Sequence, residues 1–246
     1  MALGNGHIEG AEGFLRESLV TFERLDDPQY HAMTGASLAW AAFAVMGVSF
    51  WVLAEVGFPM RPAGFFLART AWWTMVVGVV GIVITTLFMG FGASWVFLYP
   101  LPFEGAGEWG DTAAGIFSFS VLLTGVSIIT WCLAILDTVT GPGLGAGDAG
   151  LLNRLGASLG FGYIWPDRFR TSRPLPYPVI PLAVIGIDMI IATLPLAALL
   201  VMMVIQSLDP SVTVDDQLAK NLLWFFGHPV VYLLLFPAVS VFYLLV

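Results

Sequence analysis

Charge is the scarcest property of this chain of 246 residues: Asp, Glu, Lys and Arg make up only 11% of it, where a soluble domain carries about 25%. That scarcity excludes an ordinary soluble fold with a solvated charged surface. Cysteine is scarcer still. The single Cys132 excludes an internal disulfide and any CxxC metal site, and its place in an apolar stretch suits a small buried side chain. Residues 1–30 lack the basic start and apolar core of a signal peptide, so no cleavage is expected. There is no internal repeat and no sign of a second domain. The run from Gly141 to Gly147 is glycine-rich but has no preceding strand and no following Gly-Lys-Ser/Thr, which excludes a phosphate cradle. The net charge of −8 is carried mostly by the N-terminal tail and the loops, where acids are ordinarily solvated. No nucleic-acid partner is expected.

What fills the chain is apolar: 58% of residues are hydrophobic and the mean hydropathy is +0.88. Crossing about 30 Å of hydrocarbon takes roughly 20 apolar residues in a helix. Stretches of that length lie at 36–57, 69–91, 114–137, 177–205 and 221–246. Lipid offers the backbone no hydrogen-bond partner, so each should be a helix. The expected fold is an all-α, multi-pass transmembrane bundle over 31–246, preceded by a polar segment, 1–30. Arg61 and Arg69 lie between the first two spans, and Arg154, Arg168, Arg170 and Arg173 between the third and fourth. Loops 92–113 and 206–219 carry no arginine, which places the N-terminus outside and the arginine-bearing loops in the cytoplasm of a plasma or inner membrane.

Against this background two spans carry polar groups worth attention. His228 and Tyr232 are one helical turn apart in the last span, so both side chains share a face. An imidazole in hydrocarbon is costly unless paired, and its commonest functional partner is a metal. Asp188 lies inside the fourth span, seven residues before Pro195. A mid-span carboxyl is protonated, paired or hydrated, which suits proton handling or, alternatively, a packing hydrogen bond between helices. Trp72, Trp73, Trp95, Tyr99, Trp109, Trp165 and Tyr177 fall near span ends and read as an interfacial belt. Met202 and Met203 read as packing.

The run Gly227-His228-Pro229-Val230-Val231-Tyr232 resembles the sixth-helix motif of subunit I of the heme-copper oxygen reductases, Gly-His-Pro-Glu/Ile/Val-Val-Tyr. An aliphatic residue at Val230, where A-type members have glutamate, is similar to the B-type branch. Met60-Arg61-Pro62 followed by Trp72-Trp73, Tyr99-Pro100-Leu101-Pro102, and Asp215 to Trp224 also look similar to that branch. The resemblance covers most of residues 30–246. It implies that the five spans are family helices two to six, and that the chain is a fragment. The chain stops at Val246 without a capping residue or polar flank, as a fragment would.

The resemblance also implies roles. His228 would ligate copper, and Tyr232 would supply an electron and a proton to oxygen. The low-spin heme iron takes a histidine from helix two. Aligning on Thr34 puts Ala36 at that place, while His31 is the histidine available; its alternative role is that of an interfacial residue. Ser240 and Tyr243 follow Tyr232 along the same helix and resemble the family's proton channel, with Asp188 as a further proton-handling group; otherwise such hydroxyls are interhelical glue. Implied cofactors are copper and two hemes, low-spin and high-spin, held mostly by segments outside this sequence. Implied partners are oxidase subunit II and other subunits, the lipid bilayer, and an electron donor that is cytochrome c, a small copper protein or quinol. The expected activity is reduction of oxygen to water with coupled proton translocation. Two alternatives are a nitric oxide reductase of the same superfamily, and a metal-free membrane scaffold or transporter.

Overall fold

The computed structural model describes residues 28–92, 98–104 and 109–245, with side chains from Ala42 onward apart from that of Glu104. The elements are α1 (Pro28–Glu55), α2 (Pro62–Phe88), a short α3 (Leu101–Glu104), α4 (Asp111–Val139), α5 (Leu151–Ser158), α6 (Val179–Leu208), α7 (Asp216–Gly227) and α8 (Tyr232–Leu245). Single 3₁₀ turns stand at Pro142–Leu144, Phe161–Tyr163 and Pro229–Val231. Among the described residues there is no strand.

Four stretches are long and apolar enough to cross a membrane: Pro62–Phe88, Asp111–Val139, Val179–Leu208, and Asp216–Leu245 taken through its 3₁₀ turn. In α1 the described apolar part is the shorter Ala42–Glu55. The helices extend past the apolar stretches read from the sequence because caps, not hydropathy, set their ends. Arg61 is extended and Pro62 takes the first helical position, so α2 starts about two turns before residue 69. Asp215 accepts a hydrogen bond from the Leu218 N–H at 2.7 Å, which starts α7 at Asp216. α1 ends where Gly57 turns left-handed (φ 82°) and the Phe58 N–H reaches back to the Leu53 carbonyl at 2.8 Å.

The long helices close into a ring, α1–α2–α4–α6–α8 and back to α1, with α7 packed on α6. The tightest seams use glycine. A Cβ on Gly78 of α2 would lie 2.7 Å from the Ser120 carbonyl oxygen of α4, so only glycine permits that approach. Along the same seam Ser127 Oγ donates to the Ala71 carbonyl at 2.6 Å. Between the helices lies a core that includes Val52, Leu53, Trp131, Cys132, Ile135, Leu182, Ile185 and Met189. Cys132 and Met203 are buried packing residues, as the sequence suggested.

The two ends of the ring differ in chemistry. At one end Arg61 pairs with Asp137 at the foot of α4, Nε to Oδ2 at 3.1 Å and Nη2 to Oδ1. Beside it the Arg173 guanidinium reaches the carbonyls of Gly143 and Gly57. The two arginine-bearing loops therefore meet, as their common assignment to one side of the membrane requires. At the opposite end Tyr99 Oη accepts from the Val214 N–H at 3.0 Å, and Trp109 Nε1 donates to the Pro102 carbonyl at 3.0 Å. Trp165 and Tyr177 are exposed at the arginine-bearing end, as belt residues should be, whereas Trp72 and Trp73, also exposed, stand near the middle of α2 because that helix starts at Pro62. Trp95 and the tail 1–27 lie outside the described residues.

Candidate functional site: a histidine–tyrosine pair at a broken helix

The site is made by a proline. Pro229 lacks the N–H that would continue α7, so the chain tightens into the 3₁₀ turn Pro229–Val231 before α8 resumes at Tyr232. His228 is the last residue held by α7, its N–H reaching the Trp224 carbonyl at 3.4 Å. The span expected from the sequence at 221–246 is present as one apolar stretch, Asp216–Leu245, with the 3₁₀ turn interrupting it at the motif. Across the break His228 Nε2 and Tyr232 Oη lie 3.1 Å apart, in hydrogen-bond contact. The two rings are steeply inclined, at 76°, with centroids 5.5 Å apart. Phe236, one turn further on, packs against the phenol at 5.6 Å.

His228 is exposed, as are Trp224, Phe225, Val231 and Leu235, which share its face by helical spacing. Asp188 lies in α6, which packs on α4, α7 and α8. Asp188 Oδ2 is buried and has no hydrogen-bond partner among the described residues. An orphaned carboxyl oxygen in such a setting fits a proton or a water molecule. Trp131, next to Cys132, is wholly buried and its indole N–H is likewise without a partner there. Sequence reading missed Trp131. Nothing in local spacing distinguishes a tryptophan facing this region from one in the belt.

The other site residues are less directly joined. Ser240 is buried, and its hydroxyl donates to the Phe236 carbonyl at 3.0 Å within its own helix. Tyr243 is exposed and its ring lies 6.1 Å from that of Tyr177, which places it at the arginine-bearing end. Among the described residues no hydrogen bond links Tyr232, Ser240 and Tyr243. His31 lies in α1, and its side chain is outside the described residues.

The donor set allows a test of the metal. One imidazole with a phenol against its Nε2 suits a single ligand position beside a redox or proton-donating group. No cluster of three or more His, Cys, Asp or Glu side chains occurs among the described residues. The described part thus fits one ligand of a metal centre and leaves the others to be supplied elsewhere.

No curated protein and no solved structure matches the chain. The family model for cytochrome c and quinol oxidase polypeptide I matches residues 29–246. That family comprises multi-span helical respiratory oxidases that typically bind heme and copper, and the match runs through all five long helices and the His228–Tyr232 pair. This multi-pass membrane chain belongs to the cytochrome c and quinol oxidase polypeptide I family.

Proposed function

We propose that the chain forms helices two to six of the catalytic subunit of a terminal oxidase of the B-type-like branch, which reduces oxygen to water and couples this to proton translocation. The observation that carries the proposal is the 3.1 Å contact of His228 Nε2 with Tyr232 Oη at a proline-broken helix, within the motif on which the family resemblance rests. His228 would hold copper, and His31 the low-spin heme iron. Bound there, copper and the high-spin heme supply the reducing chemistry for oxygen. The remaining ligands, subunit II and the electron donor (cytochrome c, a small copper protein or quinol) come from outside this sequence.

The chain's own part is to orient and to move protons. The 3₁₀ turn fixes the imidazole against the phenol, and the phenol gives up one proton and one electron to oxygen. Asp188, whose Oδ2 is buried with no partner among the described residues, would handle protons in the long apolar helix α6. Tyr243, against Tyr177 at the arginine-bearing end, receives protons there, and Ser240 lies between it and Tyr232. Because the sequence spacing leaves these hydroxyls unjoined, water completes the route.

A second reading, nitric oxide reduction with iron in place of copper, is favoured by one observation: a carboxyl, Asp188, lies inside a membrane-length helix with its Oδ2 buried and unpartnered among the described residues. The two are separated by measuring oxygen and nitric oxide consumption by the complex in native membranes, for the unaltered protein and for His228→Ala. The proposal expects oxygen consumption that His228→Ala abolishes. Nitric oxide consumption without oxygen consumption would replace the first reading with the second. Neither activity, and no heme absorbance, would leave a membrane scaffold.

A further inference from the structure

The arginine-bearing end holds a feature that oxidase chemistry does not use. Between α5 and α6 the chain folds on itself around a cavity of about 400 Å³, bordered by Gly162, Tyr163, Asp167, Arg170, Ser172 and Arg173. The left-handed Gly160 (φ 83°) turns the chain into the 3₁₀ turn at its rim. Arg173 is fixed in place by the carbonyls of Gly143 and Gly57, and its guanidinium also lies over the Phe58 ring at 5.6 Å. Arg168 lies over Phe169 at 5.3 Å. The one ion pair among the described residues joins Arg61 to Asp137, so Arg170 and Arg173 border the cavity without an ion-pair partner, with Asp167 the acid in its lining. The cavity is thus cationic, with hydroxyl donors beside the charge.

Its surroundings say which anion suits it. Tyr163, Ile164, Trp165 and Tyr177 are all more than half exposed around the mouth, and on α5 Leu151 and Leu152 are 64% and 82% exposed while Gly156, Ala157 and Ser158 are buried. Large exposed apolar and aromatic side chains at the end of a membrane bundle lie at the headgroup level and meet acyl chains. A free solute would meet no such rim. We propose that this cavity binds the phosphate of an anionic phospholipid, with Arg170 and Arg173 on the phosphate and the Tyr163–Trp165 rim against the glycerol and upper acyl chains. Basic pockets on the cytoplasmic side of membrane helices recognise anionic headgroups in this way.

The test is the association of spin-labelled phosphatidylglycerol, relative to spin-labelled phosphatidylcholine, with the complex purified from native membranes, at physiological salt. Arg170 is the residue to change, because Arg173 also holds the loops together. The proposal expects a preference for phosphatidylglycerol that falls about fivefold in Arg170→Gln and persists in Arg170→Lys, with phosphatidylcholine unaffected in both. An Arg170→Gln protein with the original preference would overturn it. Loss of the preference on adding inorganic phosphate would also overturn it, by assigning the cavity to a free anion.

Discussion

At the scale of residues, the pair His228–Tyr232, in contact at 3.1 Å, carries the proposed chemistry. Removing the phenol hydroxyl with Tyr232→Phe deletes the 3.1 Å contact without changing the packing of the ring against Phe236. Oxygen consumption should fall by at least about a hundredfold, the loss typical of a positioned proton donor, while heme absorbance stays as it was. The motif was legible because its residues are adjacent in sequence. The burial of Asp188 Oδ2 was not, because it depends on how α6 packs on its neighbours. A surface carboxylate gives a simpler test. The Ser211 hydroxyl, at 2.7 Å, and then the Ser211 N–H, at 3.0 Å, hold the carboxyl of Asp209 below the usual carboxylate range. A depressed pKa contributes stability above the unfolded value of about 3.9, and this is lost as pH falls through the folded value. Thermal unfolding from pH 6 to pH 3 should therefore show Ser211→Ala less stable than the unaltered protein at pH 6, with the gap closing at the acid end.

At the scale of elements, hydropathy revealed the spans and missed their ends. Asp216 and Lys220 are polar, so an apolar window stops short of them, yet the Asp215 cap carries the helix over them, and Pro62 starts α2 seven residues before the window at 69. The break at 228–231 was signalled by Pro229 and hidden by the apolar residues on either side, which keep the window continuous. Hydropathy is also blind to which glycines touch. Gly78 meets the Ser120 carbonyl, whereas a Cβ on Gly47 in α1 would meet nothing within 4 Å. Gly78→Leu should force α2 from α4 and cost about 1–3 kcal/mol, the usual range for overpacking; Gly47→Leu should leave thermal stability unchanged. Equal melting temperatures for the two variants would show that the α2–α4 seam is not held at that contact.

At the scale of the whole molecule, the ring is fastened at its arginine-bearing end by groups 76 residues apart, Arg61 and Asp137. The sequence marked Arg61 as a loop charge and put Asp137 at the end of the third span, with no sign that they meet, since pairing across such a separation follows from topology. Their coupling, from a double-mutant cycle of Arg61→Gln and Asp137→Asn on thermal unfolding, should be about 1 kcal/mol, because Arg61 is partly open to solvent. The account as a whole turns on His228 as a metal ligand. The most direct measurement is the copper and heme-iron content of the complex purified from native membranes, unaltered and as His228→Ala. The account predicts that copper falls to background in the variant while low-spin heme iron remains. Copper retained at the original level would contradict it.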